Sequence, residues 1–261
     1  MSAESALSSL EGAASAAINK LLRELSIKVM TKDEIGVLAL FIGTQMLRVT
    51  QHVDTIFQIT ELIRKKWGAL PGMPDNEMDS RKQAREAMVQ SLDIAFDLLP
   101  DLLNKTWLLF RACPNSAFYI SDNPVAMHNI HRNPWRGSLG VAVKGIEIYL
   151  PLSPTVTLAL YCKSHEEGWR LTSTKEEVLR SAGIIVPPGF ESQKAAFAEL
   201  IRGLETGTPI QVSAKVNAFQ NELQIWNSSR FVFSNKADFA LVRDSIKLSP
   251  ALKHGPRLAG G

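Results

Sequence analysis

The spacing of apolar residues changes character near residue 104, and this limits the chain to folds in which a helical layer meets a sheet. Before that point Leu7, Leu10, Ala14, Ala17, Ile18, Leu21, Leu22 and Leu25 recur every three or four positions, the pattern of an amphipathic helix with one buried stripe. Ser26 to Met30 reads as a connector. Thr31-Lys-Asp-Glu34 is a capping box that opens a helix predicted over 33–67, ended by Gly68 and Pro71. After a loop at 71–77, helix resumes near Ser80 and stops about Pro100.

Beyond Asn104 the apolar runs become short and β-like, at 107–112, 118–120, 147–151, 155–161 and 231–234, several of them apolar enough to be buried on both faces. Helices are predicted near 175–181, 192–205 and 212–227. The expected fold is α+β: an N-terminal helical layer, about 1–103, covers one face of a mostly antiparallel sheet that carries further helices, about 104–248. It forms a single domain over 1–253, because no Gly/Ser-rich linker separates the halves, and residues 254–261 are a tail without a role in the fold. The helix bearing Gln45 is expected to pack on the strand preceding Ser121.

Composition removes several function classes. With 29 Lys and Arg against 26 Asp and Glu, the net charge of +3 gives no strong nucleic-acid signal without a concentrated patch, and Arg64-Lys65-Lys66 and Arg81-Lys82 with Arg85 read as helix ends or solvated faces. Cys113 and Cys162 have no Cys-x-x-Cys partner, which fits reduced thiols and gives no metal signature. The first residues lack the pattern of a secretory signal, and the apolar run 35–43 is half of what a membrane span needs, so a cytoplasmic protein without a membrane partner is expected.

Four constellations carry the polar chemistry. Gln45, Arg48 and His52 fall on one helical face, where an Arg needs an anionic partner; an internal ion pair or a solvent-facing strip is the plainer reading. Ser121-Asp122-Asn123-Pro124-Val125 follows a strand, and its small polar side chains serve either a site or their own turn. His128-x-x-His131, with Asp122 and the distant His165, has histidine spacing that a metal site shares, but the pair reads as lying on a loop, and no metal or cofactor is expected. Arg230 and Ser234 flank a strand in an ordinary helix-to-strand passage.

Taken in order, Ala39-Leu-Phe-Ile-x-x-Gln45-x-x-Arg48, Trp107, Phe118-x-x-Ser-Asp-Asn-Pro-Val125, Leu150-Pro-Leu-Ser-Pro154 and Asn221-x-Leu-Gln with Arg230-Phe-Val-Phe-Ser234 resemble a prokaryotic family, domain of unknown function four-two-three-eight. Its members usually begin with a His-x-x-Pro motif and an extended segment. The resemblance implies that this chain starts at the family's Glu-bearing helix, with Glu11 at the matching position, and it has Arg48-Val-Thr where the family tends to have Arg-Thr-Pro. It further implies that the polar positions form one site without naming a reaction. The expectation is a polar pocket at the helix–sheet junction for a small anionic or polar ligand, contacted by Gln45, Arg48, Ser121, Asn123 and Arg230, with Asp122 or Glu11 as candidate base. A binding or regulatory module, or a degenerate enzyme, is favoured. The alternative is a hydrolase or phosphodiesterase with a carboxylate base and Arg charge stabilisation.

Overall fold

A computed structural model describes residues 3–48, 63–66, 68, 82, 93–131, 139–182 and 189–254, with backbone alone at 3–4, 48, 173–180 and 254. Helix α1, Ala3–Glu24, buries Ala14, Ala17 and Leu21 from the stripe that the spacing predicts. A 3-10 turn at Ile27–Val29 leads to α2, Lys32–Arg48. The capping box forms as read: the Glu34 amide donates to Thr31 Oγ1 at 3.2 Å, and the Thr31 amide donates to Glu34 Oε2 at 2.7 Å. Lys20 of α1 places its Nζ 2.8 Å from the same carboxylate, so one side chain starts α2 and fixes it to α1.

The predicted continuation of α2 through 49–62, the loop at 71–77 and the helical stretch at 83–92 lie outside the described residues. Helix α3, Ile94–Leu103, runs through Pro100 rather than stopping there. Proline removes one donor from a helix, but its own carbonyl still accepts the Asn104 amide at 3.0 Å and the turn closes.

The strands are β1 (Thr106–Arg111), β2 (Ile120–Ser121), β3 (Ala126–Asn129), β4 (Ile146–Ser153) and β5 (Val156–Tyr161). They are followed by α4 (Lys163–Ser181), α5 (Phe190–Thr206), β6 (Ile210–Gln211), α6 (Ala214–Asn227), β7 (Val232–Phe233) and α7 (Ala240–Leu248). The main sheet has the order β3-β4-β5-β1-β6, antiparallel except for the parallel pair β1 and β6, and β2 pairs with β7 in a separate ribbon. The architecture is therefore α+β, as expected.

One expectation is corrected: helices cover both faces of the sheet. Ile146, Ile148 and Leu150 of β4 and Val156, Leu158 and Leu160 of β5 face a first core shared with Leu38, Ala39 and Ile42 of α2, Leu21 of α1 and Leu102 of α3. The alternate residues Tyr149, Ala159 and Tyr161, with Leu108 and Phe110 of β1, face a second core roofed by Trp169 of α4, Phe197 and Leu200 of α5, and Phe219 and Leu223 of α6. Side chains alternate between faces with period two, and every residue of β5 is buried, so neither face could be left to water.

The α2 stripe thus reaches the sheet centre, while Phe118, ahead of Ser121, belongs to the second core; the residue of that segment that meets the α2 layer is Val125. Strands β3 and β6 and helix α7 were not legible in the sequence, and α4 begins at Lys163, well ahead of the predicted 175.

Gly207 ends α5 at φ +72°, where a Cβ would lie 2.7 Å from Lys28 Cγ, and its carbonyl accepts the Ile27 amide at 2.9 Å. The α5 terminus on the second face is thereby tied to the connector on the first.

Donation from Lys20, then from the Thr31 amide, holds the Glu34 carboxyl below its usual value. A carboxyl whose folded value is depressed adds stability above its unfolded value and loses it as pH falls through the folded one. Replacing Glu34 by Gln is expected to lower the melting temperature at pH 7, with the gap to the parent closing as pH falls below about 4. Melting curves of both proteins across that range check this.

Candidate functional site

The loop Ser121-Asp-Asn-Pro-Val125 does for the fold what its side chains were expected to do for a ligand. Asp122 accepts the Ser229 amide on Oδ1 and the Arg230 amide on Oδ2, both at 2.9 Å, and its own amide donates to the Phe231 carbonyl. The carboxylate is a long-range clamp between the end of β2 and the residues that lead into β7. Arg230 is held there through its backbone while its side chain is exposed.

Ser121 is 4% exposed and gives its hydroxyl to the Asn123 carbonyl at 2.8 Å, with Gln224 Oε1 3.0 Å away. Asn123 is buried, and its carbonyl also accepts from Asn227 Nδ2. The structure brings Ser121, Asp122, Asn123 and the Arg230 backbone together as a turn. Gln45 is partly buried on α2 and Glu11 is exposed on α1, in the other helical layer. The Arg48 side chain, and with it the expected ion pair to Asp122 or Glu11, lies outside the described residues.

Helix α6 explains why the segment 113–125 needs so few strand partners. Asn217 Oδ1 accepts the Cys113 amide at 3.0 Å, Asn221 Oδ1 the Tyr119 amide at 2.8 Å and Gln224 Oε1 the Ser121 amide at 3.0 Å. The amide nitrogens return the contact: Asn217 and Asn221 donate to the Ala117 carbonyl, Gln224 to that of Pro124, and Asn227 to those of Asn123 and Val125. Spaced at 217, 221, 224 and 227, these side chains share one helical face and act as an adjoining strand would.

The other motifs also become geometry. Ser153 of the Pro-Leu-Ser-Pro run accepts the amides of Thr155 and Val156 and closes the β4–β5 hairpin. Phe118, Pro151, Leu152, Pro154 and Phe233 line an apolar groove of about 240 Å³ without a titratable group. Cys162 receives the Ser164 hydroxyl on Sγ at 3.3 Å; burial pushes its thiol up, but the bonds from Ser164 and the Gly145 backbone together with the charge of Lys105 leave it below its usual value.

The polar centre that sequence reasoning missed lies on the second face of the sheet. Glu147 of β4, 8% exposed, accepts the Tyr149 hydroxyl at 2.9 Å on Oε2, and His128 Nδ1 sits 3.0 Å from the same oxygen. A carboxylate only accepts, so His128 Nδ1 carries the hydrogen and Nε2 is the free end of the ring. Tyr149 gives its single proton to Glu147, so the Tyr161 hydroxyl, 2.9 Å away, donates to Tyr149. Burial, then the neighbouring phenol and carboxylate, pushes Tyr149 far up; burial and Glu147 do the same to Tyr161, and both phenols stay protonated. His165 of α4 faces Glu147 Oε1 from the far side at 3.9 Å. The Phe219 ring stands edge-on to His128 at 5.0 Å.

His128 is therefore a strand residue, paired across to Glu147 in the β3–β4 register, which corrects its placement on a loop. The legible signal was a carboxylate inside the apolar run Ile146-Glu-Ile-Tyr-Leu150 with a tyrosine two residues on, and so on the same face. Among the described residues, four buried polar atoms on this side have no hydrogen-bond partner: Thr157 Oγ1, His165 Nε2, and both ends of the Gln220 amide. Each such group costs about 1–3 kcal/mol unless something else satisfies it. Among the described residues no group of three His, Cys, Asp or Glu side chains is placed to hold a metal ion, and no helix is long and apolar enough to cross a membrane.

Fold and site define an α+β domain with an imidazole–carboxylate–phenol centre set into a sheet covered on both faces. The chain belongs to the family described as "Protein of unknown function (DUF4238)", which it matches over residues 1–238. No curated protein and no solved structure matches it.

Replacing Gln224 by Leu strands the buried Ser121 amide and removes the donor to the half-buried Pro124 carbonyl. The expected cost is about 2 kcal/mol or more. A lower denaturant midpoint at unchanged slope checks it.

Proposed function

We propose that the domain is a binding module for a small anionic or polar ligand and that its receptor is the His128–Glu147 pair. One observation carries this reading: the 3.0 Å contact that fixes the His128 ring from its Nδ1 side, on a carboxylate held in turn by Tyr149. An imidazole fixed at one nitrogen presents the other in a set direction, as an acceptor when neutral and as a cationic donor when protonated. The His128 side chain keeps 24% of its surface exposed. On this reading the ligand lies at a helix–sheet junction, on the face of the sheet opposite α2.

Asp122 has both oxygens committed to backbone amides, which argues against its use as a hydrolytic base. The free thiols Cys113 and Cys162 fit a reducing compartment, and we place the module in the cytoplasm.

Thermal shift with inorganic phosphate, acetate and acetamide tests the reading. At least one probe is expected to raise the melting temperature of the parent by a few degrees. The shift should disappear in His128→Ala and Glu147→Gln and persist in Asp122→Asn from a lower baseline. A shift that survives His128→Ala but is lost in Arg48→Ala would move the site to α2, and no shift with any probe would overturn the proposal.

A further inference from the structure

We propose that Gln220 is the recognition residue of this site and selects ligands carrying a carboxamide-type group, with an N–H donor beside a C=O acceptor; this rests on the binding reading above. Helix α6 carries five side-chain amides, Asn217, Gln220, Asn221, Gln224 and Asn227. Four of them hold peptide groups of the segment 113–125, each matching amide to amide. The fifth, Gln220, is 4% exposed, and among the described residues neither its Nε2 nor its Oε1 has a partner.

At about 100° per residue, Gln220 falls at the edge of the amide-bearing face of α6, next to Leu223. On one side lies the stripe of Phe219 and Leu223, which packs on the second core; on the other lie the amides that hold 113–125. Phe219 itself stands 5.0 Å from His128 and 6.4 Å from Tyr149. Gln220 is the next residue along α6, turned about 100° from Phe219 and buried in the same layer that roofs the polar centre.

A primary amide presents donor and acceptor side by side in one plane, and the group that satisfies both at once is another amide or its ureido and lactam analogues. A carboxylate or phosphate would meet Nε2 but turn an oxygen toward Oε1, and an ammonium would satisfy Oε1 alone. His165 Nε2, also buried and without a partner among the described residues, offers a further single contact on the far side of Glu147. The fold keeps a group that an apolar residue could replace with advantage, a trade typical of binding residues.

Isothermal titration of the full chain with benzamide and with benzoate, its carboxylate isostere, tests the proposal. Benzamide is expected to bind at least ten times more tightly than benzoate. Its affinity should fall at least tenfold in Gln220→Leu, while the unliganded variant melts no lower than the parent because an orphaned amide has been removed. If Gln220→Leu fails to fold, Gln220→Met serves, and the benzamide-to-benzoate ratio of the parent needs no variant. Equal binding of the two compounds, unchanged binding by the variant, or ordered waters alone on Gln220 in a crystal soaked with benzamide would overturn the assignment. Should phosphate or acetate give a shift that His128→Ala abolishes while benzamide does not bind, the Gln220 proposal falls and the binding reading stands; if none binds, both fall.

Discussion

A strand buried on both faces leaves no solvent for any polar side chain it carries, and this constraint on β4 and β5 organises the rest of the molecule. Six consecutive residues of each are buried. Glu147 therefore had to be met inside the protein, and every neighbour answers that demand: a phenol on its own strand, an imidazole from the edge strand, a second imidazole from the helix above. The second tyrosine follows from the first, since a buried hydroxyl that has spent its proton on the carboxylate still offers a lone pair.

The same constraint separates the parts of the fold that were legible in the sequence from those that were not. Local signals were readable. The α1 stripe, the Thr31–Glu34 box and the apolar runs of β1, β4 and β5 all rest on interactions within a few residues, and they appear in place. Strands of two residues such as β6, or of mixed polarity such as Ala126-Met-His-Asn129, have no period to detect and are defined only by the strand beside them. The early turns of α4, Lys163-Ser-His-Glu-Glu-Gly168, combine charge with glycine and take their order from the Trp169 anchor in the core.

The site was legible only in part, for a related reason. The Ser-Asp-Asn-Pro loop was visible as a place where polar groups gather, but the groups that occupy Asp122 lie 107 and 108 residues away. Spacing along the chain cannot reveal that a carboxylate already has its donors. Glu147 stands out as a carboxylate inside an apolar run, but nothing local links it to His128, 19 positions away in a mixed stretch. What joins them is the antiparallel register of β3 against β4, a property of the sheet rather than of either segment.

The amide ladder of α6 has a consequence for how the molecule meets its own copies. A chain running extended past the end of a sheet exposes alternating donors and acceptors, the template on which edge-to-edge association begins. Here a helix rather than a strand occupies those groups from Cys113 to Val125, and a helix cannot pass the pattern on to a further chain. Side-chain amides thus close the edge in the way that charge or proline does elsewhere, so a loosening of α6 would show itself first in the protein's tendency to self-associate.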